Sequence, residues 1–119
     1  MARILVIDDD KNIRFLVHEE LTLAGYVVEG AADGASGLAA VQENPPDLVI
    51  LDIKMPGMSG LDVLPRLKTC SPGTPVFLFT AYGDYREDAT TLGADGYFVK
   101  SADFSTLKDA VRSALDRNA

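Results

Sequence analysis

Five short apolar runs punctuate the chain, at residues 4–7, 26–28, 48–51, 76–79 and 97–99. Their length and their β-branched or aromatic content predict strands buried on both faces. Between them the spacing turns helical. Ile13, Leu16, Val17, Leu21 and Ala24 fall on one helix face, and Gly25 is placed to end that helix. Phe104, Leu107, Val111, Ala114 and Leu115 repeat the pattern near the other end, with Asp103 as N-cap. Gly34–Glu43 is an Ala-rich helix stopped by Asn44, Pro45 and Pro46. Residues 59–69 make a third helix, opened by Ser59 and Asp62 as a capping box and bent at Pro65, which lacks a backbone donor. Residues 85–92 have few apolar anchors before Gly93 and predict the loosest helix.

Five strands alternating with five helices, joined by short loops, imply an α/β fold with a parallel sheet and helices on both faces. Right-handed crossovers restrict its topology. Ligands of such sheets bind beyond the carboxyl ends of the strands, at the switch point of the strand order. The polar residues that follow apolar runs are Asp8 and Asp9, Asp52, Thr80 and Lys100. These five positions converge on one rim.

The segment ILVIDDDK runs four apolar residues into three adjacent carboxylates. Like charges about 5 Å apart repel by roughly 3 kcal/mol at an effective dielectric near 20. Such a cluster either traps a proton or holds a cation.

Composition narrows the choice of function. At 119 residues the chain is one domain, residues 1–119, long enough to bury a core without staples. A net charge of −7 argues against a nucleic-acid surface, which needs clustered Lys and Arg. No apolar run approaches the roughly 18 residues of a membrane span. Cys70 is the only cysteine, which excludes an internal disulfide and fits a cytoplasmic chain. One Cys and one His far apart give no support to zinc or nucleophilic-cysteine chemistry.

Four motifs carry a resemblance over essentially the whole chain: IDDD at 7–10, LDIKMPGMSGLD at 51–62, FTAYG at 79–83 and GADGYFVKS at 93–101. In this order and spacing the sequence resembles a response-regulator receiver domain of bacterial two-component signalling, the CheY-like superfamily. The resemblance implies a flavodoxin-like, doubly wound sheet of order 2-1-3-4-5. It implies that Asp52 accepts a phosphoryl group from a histidine kinase or histidine phosphotransfer protein. Asp8, Asp9 and Asp52, with the backbone carbonyl of Lys54, would hold one Mg²⁺. Thr80 and Lys100 would bind phosphoryl oxygens. Thr80 and Tyr97 would form the switch, signalling through the fourth helix, fifth strand and fifth helix to a protein target. Side chains at Lys54 and Tyr82 would tune access of water, and hence phosphoryl lifetime, toward slow self-dephosphorylation. Such a domain is not an enzyme beyond its own phosphorylation and dephosphorylation. It contacts neither nucleic acid nor membrane and works as a monomer or a phosphorylation-dependent dimer. The chain stops just after the fifth helix, implying a free-standing regulator or relay protein, or a piece of a longer regulator.

One position departs from the family pattern: Ser101 stands where members usually carry a proline after a cis peptide bond. A cis bond to a non-proline residue costs about 3–4 kcal/mol, so a trans bond and a rearranged loop before Asp103 are expected. Asp10 is read as a helix cap, and His18 as a residue on the outer face of the first helix. Met55, Pro56 and Gly57 are read as a turn, and Gly60 as a site of close backbone approach. Two rivals stand beside this reading. A haloacid-dehalogenase-like phosphatase would use Asp8 and Asp10, but lacks its following Thr and its cap segment. A degenerate receiver would bind partners without phosphorylation, against the intact set Asp8, Asp9, Asp52, Thr80 and Lys100.

Overall fold

The computed structural model describes residues 1–101 and 104–116. Its elements are β1 (Arg3–Ile7), α1 (Lys11–Leu23), β2 (Val27–Ala31), α2 (Gly34–Glu43), β3 (Leu48–Leu51), α3 (Gly60–Cys70), β4 (Val76–Thr80), α4 (Arg86–Thr91), β5 (Gly96–Val99) and α5 (Ser105–Asp116). The strands are all parallel, in the order β2-β1-β3-β4-β5. The chain steps outward from β1 to β2, then crosses back over β1 to β3, which makes the carboxyl ends of β1 and β3 the switch point.

Alternation along each central strand divides the core into two layers. Ile4, Val6, Leu48, Ile50, Phe77 and Phe79 face α1 and α5, meeting Val17, Leu21, Leu107, Val111 and Leu115. Leu5, Ile7, Val49, Leu51, Val76 and Leu78 face α2, α3 and α4, meeting Val41, Val63, Leu64, Leu67 and Ala89. Every residue of β3 and β4 is buried, as expected of strands covered on both sides.

The edges depart from that expectation. In β2 only Ala31 is buried, and the strand runs through Glu29 and Gly30 to Ala31, beyond the predicted apolar run. At the other edge Val99 of β5 is exposed. An edge strand has one neighbour, and its outer residues need no apolar cover. The buried face of α1 is also narrower than predicted. Val17 and Leu21 are buried, whereas Leu16 is 43% exposed. At about 100° per residue Leu16 stands a quarter turn from Val17 and clears the sheet. Ala24 is the C-cap and lies past the last packed turn.

Local signals act as the sequence implies. Asp10 caps α1, its Oδ1 accepting from the amides of Asn12 at 2.9 Å and Ile13 at 3.4 Å. Ser59 and Asp62 form the capping box of α3, which continues through Pro65. His18 is exposed on α1. The helix α4 is only six residues long, buries only Ala89 and lacks a side-chain cap. The expected cap at Asp103 lies outside the described residues.

Gly60 is the tightest point. A Cβ there would stand 2.1 Å from the carbonyl oxygen of Asp52 and 2.9 Å from Cα of Ile53. Its own amide donates to the carbonyl of Ile53 at 2.7 Å. This contact seats the start of α3 directly under the loop after β3. Gly60→Ala is expected to lower the urea midpoint by an amount equivalent to about 2–3 kcal/mol, with the slope unchanged. An unaltered midpoint would show that the loop after β3 moves aside freely.

Candidate phosphoryl-acceptor site

The strand register assembles the site. Ile7 of β1 pairs with Leu51 of β3, so Asp8 and Asp52 leave neighbouring strands at one level. The Asp52 amide extends the ladder by donating to the Ile7 carbonyl at 2.9 Å, and the Asp8 amide donates to Ala31 at 3.1 Å. On the other side Thr80 pairs with Val99, and the Lys100 amide donates to the Thr80 carbonyl at 2.6 Å. Residues distant in sequence therefore share one rim, as the strand-end pattern predicts.

The Lys100 ammonium lies 2.8 Å from Oδ2 of Asp8 and 3.3 Å from Oδ2 of Asp52. It crosses the sheet from the end of β5, over β4, to reach acids on β1 and β3. The Lys100–Ser101 bond is trans, since the described residues contain no cis peptide. Ser101 thus does not keep Lys100 out of the site.

Asp8 and Asp52 are almost fully buried, at 2% and 6% exposure, and Asp9 is exposed. One carboxylate oxygen from each of the three lies within 4.8 Å of the others. Burial pushes the Asp8 carboxyl above its ordinary range, and the hydrogen bond from Lys100 only partly offsets this. For Lys100 the balance is reversed. Burial is the largest influence and opposes its charge, but contact with Asp8 and then Asp52 outweighs it and raises the ammonium pKa. Three carboxylates gather around a cup that one ammonium enters, bonded to two of them, so positive charge there falls short. Its donors are hard oxygens without thiol or imidazole, a set suited to Mg²⁺.

Asp8 is held at every polar atom. Besides its amide and Lys100, Oδ1 accepts from the Asp10 amide at 2.9 Å, and its carbonyl accepts from Nη1 of Arg14 at 2.6 Å. Asp52 Oδ1 accepts from the Ile53 amide at 2.8 Å. Asp10 turns its carboxylate to the start of α1 and takes no part in the cup. That removes the acid which a haloacid-dehalogenase-like arrangement would need.

The fully buried Thr80 accepts from the Tyr82 amide through Oγ1 at 3.4 Å. The hydroxyl of Tyr97, whose side chain packs in the core, donates to the carbonyl of the same Tyr82. Both predicted switch residues therefore grip one short backbone segment. Arg86 lies on the Tyr97 ring, its Cζ 4.8 Å from the centroid, and donates to the Tyr97 carbonyl at 3.3 Å. Lys54 and Tyr82 do meet: the Lys54 ammonium lies 5.6 Å from the Tyr82 ring centroid and 5.0 Å from that of Tyr85. The two rings pack edge to face at 6.4 Å.

Arg14, Tyr85 and Arg86 were not singled out by the sequence pattern. The spacing of Tyr82 and Tyr85, three apart after a strand end, is the one signal that could have pointed to the aromatic pair. Nothing comparable marks Arg14 or Arg86 among other surface cations.

Comparison with known proteins follows the same lines. The family model for the response regulator receiver domain matches residues 4–112. Sporulation initiation phosphotransferase F of Bacillus subtilis is 39% identical over 115 residues, covering 95% of this chain and 93% of that protein. The transcriptional regulatory protein CusR of Escherichia coli is 36% identical over 119 residues, which are 98% of this chain but 52% of CusR. The chain thus spans about half the length of such transcriptional regulators. The response regulator TrrA of Thermotoga maritima in complex with Mg²⁺-BeF superposes with a TM-score of 0.92 at 44% identity, over 96% of this chain and 99% of TrrA. TrrA in complex with the histidine kinase ThkA superposes with a TM-score of 0.89 at 44% identity, over 97% and 99% of the two chains. In fold and in sequence, this chain belongs to the response-regulator receiver domain family.

Proposed function

We propose that residues 1–119 act as one receiver domain whose Asp52 accepts a phosphoryl group from a phosphohistidine of a histidine kinase or phosphotransfer protein. The observation that carries this reading is the reach of Lys100 to both Asp8 and Asp52, with Asp9 beside them. One Asp52 oxygen attacks phosphorus, the phosphorus–nitrogen bond to the donor histidine breaks, and the leaving imidazole takes up a proton from solvent. Catalysis here is positioning and charge stabilisation. Asp52 is held for attack by its amide in the ladder and by the Ile53 amide on Oδ1. Lys100 swings from the carboxylates to a phosphoryl oxygen as a point charge. Thr80 donates its hydroxyl to another.

Asp8, Asp9 and Asp52 would hold Mg²⁺, with the Lys54 carbonyl completing the protein ligands. When bound, the ion balances the negative charge that the phosphoryl group brings into an acidic cup.

Transfer of Thr80 toward the phosphoryl group releases the Tyr82 amide, and Tyr82 is also the acceptor for Tyr97. The signal then leaves through α4, β5 and α5, which carry Arg86, Tyr97 and the loosest helix of the fold. A short, weakly anchored element is suited to switching. The downstream partner is a protein. TrrA forms a complex with a histidine kinase, and that likeness supports a kinase as the upstream partner.

Incubation with acetyl phosphate and Mg²⁺ is expected to add one phosphoryl group by intact mass, absent in Asp52→Ala. Turnover of added phosphomonoesters that survives Asp52→Ala would instead support a phosphatase, and no adduct at all a degenerate receiver.

The acidic cup also predicts a pH and metal dependence of stability. Asp8 ionises above 3.8 in the folded chain, so between 3.8 and its raised value the folded state binds more protons than the unfolded state. The Asp8 contribution to stability therefore falls as pH rises through that window. Without divalent cations Asp8→Asn is expected to remove this slope and melt roughly 4 °C higher at pH 7. Mg²⁺ should raise the melting temperature of the parent but much less that of Asp8→Asn. Equal Mg²⁺ shifts in the two proteins would argue against the assigned ligand.

The Lys54, Tyr82 and Tyr85 assembly supports slow hydrolysis of the aspartyl phosphate by screening in-line water. Lys54→Ala and Tyr82→Ala are each expected to shorten the phosphoryl half-life severalfold, followed by acid-quenched mass measurement. A parent lifetime of seconds that neither change alters would contradict this role.

A further inference from the structure

We propose that Arg14 is a positioning residue of the metal cup, fixing the peptide between Asp8 and Asp9 so that the two carboxylates diverge toward one cation. This rests on the reading of the cup as a Mg²⁺ site. The Asp8 residue follows the last residue of β1, so its carbonyl lies beyond the β1 strand. Arg14, one turn into α1, supplies a donor to that carbonyl at 2.6 Å. The carbonyl of Asp8 and the amide of Asp9 belong to one rigid peptide plane. Holding one end of that plane sets the direction in which Asp9 leaves.

The guanidinium has a prepared seat. Its side chain crosses β2 where Gly30 has no side chain. A Cβ at Gly30 would stand 3.4 Å from Cδ of Arg14 and 3.8 Å from Nε. Gly30 pairs with Val6 two residues before Asp8, and the next residue of β2, Ala31, accepts the Asp8 amide. One peptide segment is thus clamped from β2 through its amide and from α1 through its carbonyl. Arg14 meets this segment at a backbone oxygen, whereas Lys100 meets the carboxylates. Groups that orient ligands in this way have large effects on metal affinity while leaving the ligands themselves unchanged.

The test is calorimetric titration of the metal-free protein with Mg²⁺ alone, alongside its melting temperature in a chelator. Arg14→Ala is expected to weaken Mg²⁺ binding about tenfold, and Arg14→Lys, which keeps charge and one donor, to recover most of that loss. Gly30→Val at an exposed strand position should crowd the arginine and weaken Mg²⁺ in the same direction. In the Arg14→Ala background it should have no further effect, which a merely structural contribution of either residue would not produce. Unchanged Mg²⁺ affinity in Arg14→Ala, or in Gly30→Val should Arg14→Ala fail to fold, overturns the assignment. Asp8→Asn separates the two levels. Loss of Mg²⁺ there with full binding in Arg14→Ala overturns the role of Arg14 alone, whereas Mg²⁺ binding that survives Asp8→Asn, or is absent in the parent, overturns the cup itself.

Discussion

The arrangement of this protein turns on one ammonium shared by two buried carboxylates. Lys100 meets Asp8 and Asp52 from the far side of β4, so the sheet must bring β5, β3 and β1 into register before that contact exists. Charge alone would not hold the three strands together, because removing ions from water costs about as much as their attraction returns. The two apolar layers hold the strands, and the charged contact reports that they are correctly aligned. A cup with three acids and one base is built to be completed from outside. Burial raises its Asp8 carboxyl above the usual range even beside a lysine.

Much of this is legible in the sequence. The acids, the hydroxyl and the lysine each follow an apolar run, and in a parallel sheet such positions share an edge. Ser59 and Asp62 announce their local roles through side-chain chemistry acting over three residues. The same holds for Asp10, whose capping bonds use amides immediately downstream.

What the pattern could not carry was anything set by the place of an element in the sheet. Tyr26 and Val28 look as buried as Val49 and Ile50 in a run of letters, yet β2 has one neighbour and β3 has two. Leu16 looks like a core residue until the narrow seat of α1 turns it to solvent. Long side chains were harder still. Arg14 reaching the Asp8 carbonyl, and Arg86 lying on Tyr97, depend on where a flexible stem is allowed to rest. Gly30 gives Arg14 that resting place, and its meaning appears only when β2 is laid beside β1.

Tyr82 has a plainer position than any of these and a wider consequence. Its amide donates to the fully buried threonine and its carbonyl accepts from the tyrosine of β5, so a single residue joins two stations of the molecule. Linkage obliges such a tie to work in reverse as well as forward. If Asp52 takes up a phosphoryl group as proposed, a protein that grasps the surface near Tyr97 would pull on the same link from the other end. Under the proposed phosphorylation the listener would act on the message: whatever binds one state of this domain more tightly also shifts the equilibrium between its states.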